Sequence, residues 1–158
     1  MRFLQTIRFD ESDSHVFDIA ATPGEWAVPG GFMFAGIDLR TLNGKTKQAF
    51  ANGFLSLESF GYSTLTSVVE IRKAEYESAT QRLADKLRNE CGAPTDEAAV
   101  EAASVEMKYV LDMCDDVPVN TLFALERKLD ADNEIRERFR IIQPDRGQMH
   151  TKIWEIEE

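Results

Sequence analysis

Residues able to do chemistry fall in a few short stretches of this chain. Gly44-Lys45-Thr46 follows an extended stretch and opens a helical one, the context of a phosphate-binding loop. That loop requires a glycine five positions before its second glycine, and Leu39 stands there. The segment "GIDLRTLN" also lacks consecutive flexible residues whose amides would wrap a phosphate, so nucleotide binding is set aside. Ser12-Asp13-Ser14-His15 places hydroxyls beside an imidazole, the pairing used in acyl transfer. His15 lies in a polar break, however, and His150, the other of two histidines, lies in a tail. A working base must be held by packed structure, so no catalytic residue is assigned.

Glu106, Asp112, Asp115 and Asp116 crowd the end of a helical stretch. Hard cations prefer oxygen clusters drawn from several elements, and carboxylates at a helix C-terminus oppose its dipole. The group reads as a solvated or partner-facing acidic patch, with no metal and no cofactor. Arg136, Arg138 and Arg140 alternate and so share one face of a strand. That stripe suits an anionic ligand or an acidic protein surface; the plainer reading is a solvated face with cross-strand charge pairs. Pro29-Gly30-Gly31 interrupts an aromatic run. Beside it Trp26, whose bulk and indole donor suit a pocket rim or interface, and Phe32 are the aromatics expected to be presented to a partner or ligand.

The elements that must position these groups follow from periodicity. Residues 2–9 alternate, with Phe3, Ile7 and Phe9 on one side, and read as a half-buried strand. Trp26 and Val28, then Phe32 and Phe34, alternate about the Pro-Gly-Gly insertion. They predict a second strand over 25–36, bent or bulged at a sheet edge, because proline cannot donate to a central ladder. Phe50, Phe54 and Leu57 recur at i, i+4 and i+7 and predict a helix over 46–60, stopped in a left-handed turn by Gly61. Residues 65–71, rich in β-branched side chains, make a third strand.

Tyr76, Leu83 and Leu87 mark a long helix closed by Gly92 and Pro94. Thr95, Asp96 and Glu97 open the next as cap and dipole-complementing acids. On it Ala103, Met107, Val110 and Cys114 share a face, and Pro118 ends it. The short connection predicts an antiparallel helical hairpin. Phe123, Leu125 and Leu129, with Ile135, Phe139 and Ile141, occupy odd positions, so their two strands must pair odd with odd around a loop at 130–134. That register opposes Leu129 to Ile135, Leu125 to Phe139 and Phe123 to Ile141, and sets Glu126 against Arg138 and Arg127 against Glu137. Ile153, Trp154 and Ile156 are too apolar for a solvated tail and are expected to dock on their own domain or on a neighbouring subunit. The expected architecture is α+β: one domain over 1–144 and a tail over 145–158. Its five-stranded, mostly antiparallel sheet packs against about three helices, including a helical hairpin and a C-terminal β-hairpin.

Composition narrows the function classes. The 158 residues carry a formal charge of −10, whose long-range field repels phosphate backbones and anionic lipid, so neither nucleic acid nor membrane is an expected partner. No apolar run reads as a signal peptide or membrane span, and a cytoplasmic location is expected. Cys91 and Cys114, the two cysteines, are too far apart in sequence for a metal knuckle or redox pair and read as free thiols. At the far ends of one helical hairpin, with about twenty residues of helix between them, they stand roughly 30 Å apart, which forbids an internal disulfide.

Three stretches, "MRFLQTIRFDESD" at 1–13, "GEWAVPGGFMF" at 24–34 and "QAFANGFLSLESFG" at 48–61, together with "RFRIIQP" at 138–144, carry a resemblance. They are similar to an uncharacterised family of small proteobacterial proteins, a domain of unknown function, and the likeness runs to Pro144. The resemblance supplies no catalytic residue. It implies an accessory role, since genes of this kind accompany accessory proteins of molybdenum and iron–sulfur oxidoreductases and a lipoate-ligase-like protein. The function expected is therefore a non-catalytic interaction or accessory protein, a homodimer or a binder of another protein, using an exposed sheet face or the Trp26 region. The alternative is a small-molecule site or enzyme with a pocket between the bent strand 25–36 and the helix 46–60.

Overall fold

The computed structural model describes residues 1–8, 10–144 and 151–157, with backbone alone from residue 143 on. Its strands are β1 (Arg2–Ile7), β2 (Trp26–Val28), β3 (Phe54–Ser56), β4 (Tyr62–Ser63), β5 (Leu65–Glu70), β6 (Leu122–Leu129), β7 (Ile135–Pro144) and β8 (Thr151–Glu157). Its α-helices are α1 (Ser12–Val16), α2 (Gly44–Asn52), α3 (Lys73–Glu90) and α4 (Asp96–Cys114). The strands form a single sheet in the order β4-β3-β2-β1-β5-β6-β7-β8, and every strand pair is antiparallel. The class is α+β, but the expected five-stranded sheet with about three helices is corrected to eight strands, one of them the two-residue β4, and four α-helices among the described residues. Among the described residues no helix is long and apolar enough to cross a membrane.

Two local readings account for part of the difference, and β4, β8 and α1, which were not expected, for the rest. The strand expected over 25–36 ends at Val28, where Pro29 brings no N–H to the ladder. Gly30, at φ +80°, then turns the chain into a 3-10 helix over Gly31–Phe34. The helix expected over 46–60 stops at Asn52. Gly53 lies so close to its neighbours that a Cβ would stand 2.7 Å from the Tyr62 ring, and β3 follows it. Phe54, Leu55 and Ser56 are all fully buried, and a strand buried on both faces shows no alternation, so aromatic spacing there imitates a helix. Nor is Gly61 the left-handed residue: that is Phe60 at φ +57°. Gly61 is demanded instead by close approach, since a Cβ would lie 2.7 Å from the Ala20 carbonyl carbon.

The rest follows its sequence signals. Thr95 caps α4 by accepting from Ala98 N at 3.0 Å, and α3 and α4 form the helical hairpin. The face of Ala103, Met107, Val110 and Cys114 is completely buried. β6 and β7 pair in the expected register, Leu129 with Ile135, Leu125 with Phe139, Phe123 with Ile141, Glu126 with Arg138 and Arg127 with Glu137. The core joins sheet to helices through Phe139, which meets Phe54 and Tyr109, and through Phe3, which is edge-on to Tyr76 and Trp26. A second, smaller core of Phe17, Phe34, Ala49 and Phe50 lies under α1 and α2. Both cysteines are free, and burial pushes the Cys114 thiol up to about 12. Residues 151–157 add β8 to β7, with Ile141 partnered by Trp154 and Phe139 by Ile156. Phe9 and His150, singled out in the sequence, lie outside the described residues.

Candidate functional site

Trp26 is half-buried and borders a cavity of about 310 Å³. One wall is a stripe of α3, Ala74, Glu75, Ser78, Ala79 and Arg82; the other is Trp26 with Leu57 and Glu58 from the β3–β4 turn. Helical geometry makes the stripe, because positions 74, 78 and 82 and positions 75 and 79 recur every four residues. Leu57 and Ala79 are buried and form the floor. Glu58, Ser78 and Arg82 are exposed at the rim, and their side chains make no hydrogen bond or ion pair among the described residues. Glu75 is engaged, accepting from Arg72 Nε at 3.0 Å and from the Arg72 backbone N–H.

The turn that forms the second wall is pinned from two sides. Glu25, only 5% exposed, precedes Trp26 and binds the turn from beneath. Its Oε2 accepts from Ser56 Oγ and Ser59 N, both at 2.8 Å, while Oε1 accepts from Ser59 Oγ at 3.0 Å and from Thr22 N at 2.5 Å. Burial pushes the Glu25 carboxyl up, but these hydrogen bonds more than reverse it and hold it below the usual carboxylate range. From α3, Lys86 places its ammonium 4.7 Å from the centre of the Phe60 ring, a cation–π contact. Trp26 itself is held edge-on to Phe3, ring centres 6.2 Å apart, and its carbonyl accepts from Leu57 N at 2.8 Å.

Pro29, Gly30 and Gly31 sit over a second polar centre, built on Arg127. This guanidinium is completely buried and fastens three segments: Nε donates to Glu137 Oε2 at 2.7 Å, Nη1 to the Phe50 carbonyl at 2.9 Å, and Nη2 to the Pro29 carbonyl. The Phe34 ring centre lies 5.8 Å from it. Gly30 N donates weakly to Glu106 Oε1 at 3.4 Å. Burial pushes the Glu106 carboxyl up; the Gly30 N–H opposes this, Glu137 adds to it and Arg127 opposes it. Of the interval between 25–36 and 46–60, where a small-molecule pocket is the alternative expectation, the part between residues 29–31 and α2 holds the Arg127 guanidinium, and the part between Trp26 and Leu57 is the groove.

The candidate residues therefore fall into different settings. Trp26 lies in the groove, Pro29 and Gly30 are buried, and Phe32 packs against the main core. A Cβ on Gly31 would stand 3.4 Å from Glu137 Oε2. Arg136 is held by Asp130 at 2.7 Å and Arg140 by Glu126 at 3.5 Å, and Arg138 is also engaged. None of the three lines the groove. In α1 Asp13 turns inward to accept from Thr64 Oγ1 at 2.8 Å, while Ser14 and His15 stay exposed. Glu106 faces the Arg127 centre and is not part of an acidic patch with Asp112, which pairs with Lys108.

Sequence reasoning missed Glu25 and Arg82, and of Arg127 it saw only the pairing with Glu137, which the structure bears out. Arg127 carried a usable signal: it occupies the odd, core-facing register of β6 between Leu125 and Leu129, so an arginine there had to be buried and fully bonded. Glu25 and Arg82 showed none, since their roles depend on a turn and a helix face meeting across the groove. No significant similarity to a curated protein or to a solved structure is found. A family does match, over residues 1–154 and so beyond Pro144, where the sequence likeness had ended. The chain, with its Trp26 groove and its Arg127 centre, belongs to the family of unknown function DUF6505.

Proposed function

We propose that this protein is a non-catalytic accessory protein that acts by recognition, with the Trp26 groove as its binding site. The observation that carries the reading is the groove's division of labour. A half-buried indole with Leu57 and Ala79 offers apolar contact, and Glu58, Ser78 and Arg82 stand at the rim uncommitted. Ligand sites of roughly 300–1,000 Å³ combine an apolar lining with a few placed polar groups, and the cavity of about 310 Å³ fits the small end of that range. The arginine stripe is the weaker candidate, because Arg136 and Arg140 already pair with Asp130 and Glu126.

A cytoplasmic location, self-association and service to a metallo-oxidoreductase system belong to the same proposal; light scattering tests the second of these. Thermal-shift screening with metabolites and peptides against the native protein and an Arg82→Glu variant tests the site. A ligand held in the groove raises the melting temperature of the native protein and leaves the variant much less affected. A screen in which no ligand acts, or in which every active ligand stabilises both proteins equally, refutes the assignment.

A further inference from the structure

The α3 wall of the groove runs from Ala74 to Arg82, about 12 Å at 1.5 Å per residue. That length matches three to four residues of extended chain at roughly 3.3 Å each. Ala74 and Ser78 are small and exposed, so this wall is low and the groove is a trough, open along its length. Compact ligands are held in sites that enclose most of their surface; a trough suits a strand-like segment. The rim carries one uncommitted carboxylate, Glu58, and one uncommitted guanidinium, Arg82. They line the same space without forming an ion pair, so each attracts its complement in whatever enters. The molecule's charge of −10 disfavours a purely acidic visitor at long range but not one of mixed sign.

Taking the groove as the binding site, we infer that it holds a short extended segment of a partner polypeptide, three to four residues long. An apolar side chain of that segment lies on Trp26, between one basic and one acidic residue. The basic residue faces Glu58 and the acidic one faces Arg82. The buried Leu57 and Ala79 close the floor beneath the apolar anchor, and the indole supplies the rigid, amphipathic contact area typical of protein recognition.

The test uses the full-length, ¹⁵N-labelled protein, with the Trp26 indole N–H resonance identified by its loss in a Trp26→Phe variant. The probes are acetylated, amidated tetrapeptides, Lys-Leu-Ser-Glu and Glu-Leu-Ser-Lys, and versions with Gln in place of Lys or Glu. At least one parent peptide is expected to move the indole resonance, and each Gln replacement to weaken binding about two- to five-fold, the range for exposed ion pairs. The Arg82→Gln protein should lose its sensitivity to the Glu-to-Gln change only, and the Glu58→Gln protein its sensitivity to the Lys-to-Gln change only, as a double-mutant cycle requires. Both positions are exposed, so these variants should fold normally, which circular dichroism checks. Peptide binding that ignores both charge pairs, or that leaves the indole unmoved, overturns the inference. If small metabolites shift the indole and no peptide does, the peptide inference falls and the groove assignment stands; if nothing shifts it, both fall.

Discussion

Gly30 meets two demands that no other residue type satisfies together. Its φ of +80° lies in the left-handed region, and a Cβ would stand 2.6 Å from Leu55 Cβ. Gly30→Ala is therefore expected to cost roughly 2–5 kcal/mol, combining left-handed strain with overpacking. Urea unfolding measures this, and a cost under about 1 kcal/mol would show that Leu55 and the turn relax freely. The Trp26 side chain needs no such exception. It gains its position from Phe3 on one side and from a neighbour in sequence, Glu25, that holds the opposite wall. Residue type alone marked Trp26 for attention; the arrangement around it gives the indole something to do.

At the scale of elements, the β3–β4 turn is the part whose placement decides whether a groove exists. Its ties are short-range chemistry across long sequence separations: Glu25 to Ser56 and Ser59 from below, Lys86 to Phe60 from α3. Glu25→Ala removes the acceptor of four hydrogen bonds, and each donor left buried without a partner costs about 1–3 kcal/mol. A loss of at least about 2 kcal/mol is expected in chemical denaturation, with the Trp26 indole resonance displaced even where the variant remains folded. An unshifted indole would show that Lys86 and Phe60 suffice to hold the turn. Element boundaries also show what sequence periodicity could deliver. The β6–β7 register was legible because Phe123, Leu125, Phe139 and Ile141 alternate with polar residues and one face is buried. β3 was not legible, since Phe54 and Leu55 are both buried and the alternation that identifies a strand vanishes. The groove was half legible: Trp26 stood out, while α3's stripe of small and charged residues looks like any solvated helix face.

For the whole molecule, two carboxylates, Glu25 buried and Glu106 half-buried, pull the pH dependence of stability in opposite directions. Glu25 is held below its ordinary value of 4.5, so its contribution is full above that value and fades as pH falls through the folded-state pKa. Glu106 is held above 4.5. Its favourable contribution is present below that value and is lost as pH rises through its folded-state pKa. Glu106→Gln keeps an acceptor for Gly30 N without the half-buried charge. It should raise the melting temperature at pH 7, have little effect at pH 4, and flatten the decline between the two. A melting temperature lowered at pH 7 would mean that the charge of Glu106 helps hold Arg127. The sheet order adds a constraint of another kind. β1, the first strand in sequence, lies between β2 and β5, with β6, β7 and β8 beyond β5, so the sheet's interior is assembled from both halves of the chain.

That topology gives the Arg127 centre a place in time. Its guanidinium joins residues 77 and 98 positions away, Phe50 and Pro29, and closing such long loops comes late because their entropy cost precedes any reward. Contacts absent from the folding transition state govern how fast a protein comes apart, not how fast it forms. Arg127→Met leaves two carbonyls and Glu137 without their donor, a loss of about 3–5 kcal/mol. In a stopped-flow chevron this should appear as unfolding faster by about two to four orders of magnitude, with the refolding arm nearly unchanged; a slowed refolding arm would place the centre in the nucleus. The buried arginine then acts as a latch, fastened after the sheet has closed, that sets the lifetime of the native molecule.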